Sequence, residues 1–129
     1  MPRPKSEKVR LSVFKGKEAK LNHGILGSLH QTSPQTGWEL FLQLKKRRDM
    51  AGLTYTTLLR RMAALQLQDY IMKVGEKDTM PGTETALYQS SPRGELAIAL
   101  SKINLDKFVK RAGYDRILGA LEVFENWEL

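Results

Sequence analysis

Threonine, arginine and alanine share one side of a single helix-forming stretch, residues 53–65 (LTYTTLLRRMAAL), while leucine and methionine share the other. At about 100° per residue, Leu58, Met62 and Leu65 fall together, with Tyr55 and Leu59 beside them. Thr56, Thr57, Arg60 and Ala64 fall opposite, with Arg61 and Ala63 at the margins. A solvated helix surface usually mixes Lys with Glu, yet no acid stands between Leu53 and Gln68. A guanidinium donates in pairs to a guanine edge or a phosphate, hydroxyls bond phosphates or bases, and alanine lets a neighbouring surface come close. That set of groups suits the major groove of a double helix. An ordinary amphipathic helix with a basic polar side would carry the same pattern, so the surroundings have to decide.

Upstream, residues 37–48 (GWELFLQLKKRR) predict a second helix, with Trp38, Leu40, Phe41, Leu42 and Leu44 spread over more than half its circumference. So broad an apolar surface implies cover on several sides. Gly52 lies in the connection of residues 49–53 and Thr54 is placed to cap the helix after it, which makes a helix–turn–helix pair. Earlier still, residues 17–30 predict a helix with Leu21, Ile25, Leu26 and Leu29 along one side, ended before Pro34 because proline denies Ser33 the helical region. Downstream the period changes: residues 70–74 and 86–89 are short β-prone runs joined by a polar loop, residues 75–85, with Pro81-Gly82 suited to a type II turn. Ser91 as cap and Pro92 at the first helical position then open a further helix. The order is helix, helix, helix, strand, loop, strand, helix.

Residues 17–103 resemble the winged helix–turn–helix domain of small prokaryotic transcription regulators, with an archaeal flavour. The likeness is carried by the Leu21 to Leu29 helix, Trp38-Glu39-Leu40-Phe41, the Thr54 to Leu65 helix, Tyr70-Ile71 and the run Leu87-Tyr88-Gln89-Ser90-Ser91-Pro92-Arg93-Gly94. The resemblance is at the level of the fold and covers about two thirds of the chain. It implies a mainly α fold with a small β-hairpin, a recognition helix at residues 54–67 and binding to double-stranded DNA. The residues expected to meet DNA are Lys45, Lys46, Arg47, Arg48, Thr54, Tyr55, Thr56, Thr57, Arg60, Arg61 and Lys77. Winged helices also serve as protein-contact modules, so a basic face that meets an acidic partner is the alternative reading.

Charge is consistent with a polyanionic partner. The 129 residues carry a net charge of +7, and a basic surface is the electrostatic footprint of nucleic-acid binding. Residues 1–20 hold seven Lys or Arg against two Glu, Lys45 to Arg48 form a run of four, and residues 114–129 reverse the sign with four acids and Arg116 alone. Residues 1–15 read as a basic tail or short strand, the strand suggested by the alternation of Val9, Leu11 and Val13; the tail could lie along DNA as a basic arm. Residues 16–103 form the domain, and residues 104–129 a helical extension. There is no cysteine, which excludes disulfides and thiolate chemistry. No apolar run approaches a membrane span or a signal-peptide core, so the expected location is cytoplasmic.

Catalytic chemistry has little footing. His23 and His30 lie on one side of the first helix but two turns apart, too far for a two-ligand metal clip. There is no phosphate-cradling glycine loop and no nucleophile motif, so no enzymatic activity, metal or cofactor is expected. Gly24 and Gly27 read as points of close helix packing. The hairpin loop departs from the family pattern: Lys73 and Lys77 are outnumbered by Glu76, Asp78 and Glu84, and it has no arginine for a minor groove. After Gly113, a plausible helix cap, the last helix collects Tyr114, Ile117, Leu118, Leu121, Phe124 and Trp127 on one apolar side. This surface either covers its own domain or pairs two copies; a homodimer is favoured, because symmetric DNA sites are read by symmetric dimers.

Overall fold

A computed structural model describes residues 11–80 and 83–127, with the side chains of residues 79, 80, 83 and 84 left aside. They divide into two compact units, one of residues 11–101 and one of residues 102–127. The expected basic arm of residues 1–8 and the turn at Pro81-Gly82 lie outside the described residues.

The first unit opens on a short 3-10 turn, Ser12–Phe14. This corrects the expected strand: the turn sends the consecutive residues Val13 and Phe14 both into the core, which an extended strand cannot do. Asn22 holds it there, donating from Nδ2 to the Val13 carbonyl at 2.8 Å. Helix α1 runs Ala19–Gln31. The Gln35 amide then donates to the Thr32 carbonyl just past its end at 2.7 Å, and at 3.4 Å to the Ser28 carbonyl, which also takes the Thr32 N–H. A two-residue strand, β1 (Gln35–Thr36), leads directly into α2 (Gly37–Lys45). Thr36 and Glu39 form a capping box there: the Thr36 hydroxyl accepts from the Glu39 N–H, and the Glu39 carboxylate accepts from the Thr36 N–H. The helix is shorter than expected. It stops at Lys45, and the chain turns through Arg48–Met50 so that Met50 reaches the core.

Helix α3 spans Tyr55–Leu67 with Thr54 as its cap. It closes on a Schellman motif, with the Tyr70 N–H bonded to the Leu65 carbonyl and the Asp69 N–H to that of Gln66. Strands β2 (Ile71–Met80) and β3 (Thr83–Ser90) form a hairpin, and β1 pairs with the far side of β3, giving an antiparallel sheet in the order β1-β3-β2. The hairpin extends through what the sequence suggests is loop. It needs no apolar alternation there because Lys77 and Asp78 are exposed, beyond the core. Helix α4 (Pro92–Lys102) starts as expected, the Ser91 hydroxyl accepting from the Gly94 N–H. Ile25, Leu26, Leu29, Leu40, Leu44, Leu58, Leu65, Ile71 and Ile98 make one core from α1 to α4 and the sheet.

The second unit holds α5 (Leu105–Arg111), capped by Asn104, and α6 (Tyr114–Glu125). Neither helix has a buried residue. The described chain is thus mainly helical with a small three-stranded antiparallel sheet.

Candidate nucleic-acid interface

Helix α3 is oriented by its apolar side. Leu58, Met62 and Leu65 are buried against the core. Tyr55 adds a lateral anchor, its ring 5.2 Å from Trp38 and 5.4 Å from Phe41, with Trp38 and Phe41 5.3 Å apart. This aromatic cluster ties the start of α3 to α2. Trp38 is nevertheless 50% exposed and Leu42 also faces solvent. Both correct the expectation that α2 is covered on several sides. Trp38 lines an open cleft beside the start of α3, which leaves half of its surface in solvent.

The opposite side of α3 is open. Thr56, Thr57, Arg60, Ala63, Gln66 and Leu67 are exposed. Arg60 has no ion pair among the described residues. Thr54 is committed to the cap: its Oγ1 accepts from the Thr57 N–H at 3.2 Å and donates to the Thr57 hydroxyl at 2.9 Å. Arg61 does not join Arg60. Its guanidinium lies 3.7 Å from the Glu18 carboxylate, with the side chain 21% exposed, because position 61 stands only one helical step from the buried row of Leu58, Met62 and Leu65. Its Nε is buried without a hydrogen-bond partner, as is the Asn22 Oδ1.

The basic run after α2 lies at the surface. Lys45, Lys46, Arg47 and Arg48 are all exposed. The Lys45 ammonium lies 5.8 Å from the centre of the Phe41 ring. Arg47 faces Asp49 at 3.5 Å, and Asp49 also meets Lys20 at 3.7 Å. Lys45, Lys46 and Arg48, like Arg60, keep no ion pair among the described residues. The hairpin lysines differ. Lys77 lies 3.3 Å from Glu39, and Lys73 2.8 Å from Glu76. Glu39 is held clearly below its ordinary value of 4.5, chiefly by the Thr36 N–H, with the Thr36 hydroxyl and Lys77 adding to that and desolvation opposing it. A cleft of about 380 Å³ between the start of α2, the start of α3 and the hairpin is lined by Thr36, Trp38, Glu39, Tyr55, Lys77 and Thr85. Thr36, Glu39 and Lys77 bond to one another within it.

The two histidines have separate structural surroundings. The His30 ring lies 2.6 Å from the Glu95 carboxylate, while His23 packs edge-on against Phe14 and its Nε2 is 3.4 Å from the Ser101 hydroxyl. Among the described residues no three His, Cys, Asp or Glu side chains are grouped to hold a metal ion. No described helix is long and apolar enough to cross a membrane. Of the residues expected to pair copies, Tyr114, Phe124 and Trp127 are at least 72% exposed, Leu118 and Leu121 are exposed, and Ile117 is partly covered.

Sequence patterning missed the aromatic cluster, the Glu18 partner of Arg61 and the exposure of Leu59. The capping-box spacing from Thr36 to Glu39 was legible and would have fixed the start of α2. Comparisons of the chain with family models, with curated proteins and with solved structures return no match.

Proposed function

We propose that this chain is a winged helix–turn–helix regulator of transcription that binds double-stranded DNA as a homodimer, with α3 in the major groove. The observation that carries the reading is the open side of α3, which is free of acids and presents Arg60 without an ion pair among the described residues. Topology supports it: three helices followed by a hairpin, with a short strand between the first two helices pairing on the far side of β3, make a compact frame for a helix–turn–helix. Lys45, Lys46 and Arg48 supply free cations for phosphates beside that helix. Lys77 enters as a bridge from the wing to α2, and Arg61 as a clamp on α1, so neither is assigned to DNA. Pairing through α6 would bring two such helices to a symmetric site. In this reading the protein is cytoplasmic, takes no cofactor and catalyses no reaction.

Gel-shift titrations at several salt concentrations test the assignment. Arg60→Ala should cost about 1–3 kcal/mol and relax sequence preference, as loss of a base-edge contact does. Lys46→Ala should weaken binding to all duplexes alike and flatten the salt dependence. Equal, sequence-blind losses for both variants would overturn base readout by Arg60.

A second reading has its own observation. Trp38, Leu42 and Leu59 are exposed on α2 and α3 near the basic run, and exposed aromatic and aliphatic anchors are what protein contacts use. On this reading the basic face meets an acidic protein. Loss of partner capture in Trp38→Ala, with DNA affinity absent in the parent, would favour it.

A further inference from the structure

We propose that the open side of α3 reads a guanine flanked by A·T pairs in each half-site, Arg60 taking the guanine and Thr56 and Ala63 meeting thymine methyl groups. The proposal rests on the DNA-binding reading above and names the bases that this site prefers.

Three observations select these residues. Thr56, Arg60 and Ala63 are all exposed, and at spacings of four and three they share one arc of the helix. Other candidates are engaged elsewhere: Arg61 faces Glu18, the Thr54 and Thr57 hydroxyls bond each other, and Tyr55 packs edge-on against Trp38 and tilted against Phe41. The arc also lacks any carboxylate to accept from cytosine N4, and Gln66, which could pair with adenine, lies about a third of a turn from Arg60, beyond Ala63. What remains is one bidentate donor with a methyl-bearing side chain on either side, and the exposed Leu67 continues the arc beyond Ala63. A guanidinium matches the guanine O6 and N7, and small apolar groups match the thymine methyl. At a rise of about 1.5 Å per residue, Thr56 lies about 6 Å and Ala63 about 4.5 Å along the helix from Arg60. Those distances are one to two steps of roughly 3.4 Å, so both contacts fall within two base pairs of the guanine.

The experiment is selection from a duplex library with a randomised window, run with the full chain, Arg60→Ala and Ala63→Gln. Both positions are exposed, and circular dichroism checks that each variant keeps its helices. The wild type should enrich a guanine with thymines within two base pairs. Arg60→Ala should lose the guanine and bind the selected duplex roughly 10- to 100-fold more weakly. Ala63→Gln should keep the guanine and exchange one flanking thymine for adenine, which a purely structural role would not do. A wild-type motif without guanine, or the same motif from Arg60→Ala, overturns the base assignment and leaves DNA binding standing. No enriched motif from the wild type overturns the sequence-specific reading and this proposal with it.

Discussion

Asp69 stands at φ 67°, a conformation that is costly for a side chain with a β-carbon and that the end of α3 requires. Its own reward is small, since the carboxylate lies 3.6 Å from Arg93 with both groups well exposed. Asp69→Gly is therefore expected to leave stability unchanged or raise it by up to about 1 kcal/mol, whereas Asp69→Val should lower it by about 1–2 kcal/mol. Urea denaturation midpoints distinguish the two. Glu39 offers a test in pH. Its anionic form is favoured in the fold, where the Thr36 N–H and Lys77 bond the carboxylate and the Thr36 hydroxyl beside it adds to the effect. With the folded value below the ordinary 4.5, that contribution is complete above 4.5 and fades as the pH falls through the lowered value. Glu39→Gln can still accept from Thr36 but carries no charge. It should be less stable than the parent at pH 7, with the gap closing below pH 4.5; a gap that stays constant down to pH 3 would rule out the ionic contribution.

The helices were legible because each carries its own evidence: an apolar stripe, a capping residue and a breaker. The stripe of Leu58, Met62 and Leu65 placed α3 the right way round, and Leu58→Ala should cost about 2–5 kcal/mol as a fully buried truncation. Elements that depend on distant partners were less visible. Strand β1 is two residues long, too short for any period, and exists because Gln35 and Thr36 pair with Tyr88 and Leu87. The outer hairpin has charges on both strands, so the signal of one buried face is missing. Close approach of elements is likewise a tertiary fact. A Cβ at Gly94 would collide with the Tyr70 carbonyl oxygen, which is backbone and already bonded to the Ser91 N–H. At Gly24 it would meet the Met50 methyl at 2.7 Å, the far end of a flexible side chain, and at Gly27 nothing within 4 Å. The expectation of close packing thus holds at Gly24 and fails at Gly27. Gly94→Ala should cost about 3 kcal/mol, Gly24→Ala about 1 kcal/mol or less, and Gly27→Ala should be neutral or stabilising. Thermal unfolding of the three alanine variants ranks them.

Every buried apolar side chain among the described residues lies between Val13 and Ile98, so the core belongs to the first unit alone. Helices α5 and α6 comprise seven and twelve residues without a buried one. Isolated helices of this length are marginal in water, and units below about 40 residues rarely stabilise themselves. Yet the apolar side of α6 displays Leu118, Leu121 and Phe124, with the exposed Trp127 past the end of the helix rather than on it as expected, a surface of the kind that marks association. Pairing with a second copy satisfies both facts. Removing residues 102–129 should then give a monomer that keeps the helical content of the first unit and unfolds cooperatively. It should bind a single half-site about as well as the parent, but lose affinity for a two-half-site duplex, because linked modules gain avidity without new contacts. Light scattering and anisotropy measurements on both lengths read these outcomes. A full-length chain that is monomeric at tens of micromolar would rule out the pairing, and a shortened chain that aggregates would mean that residues 102–129 serve the first unit instead.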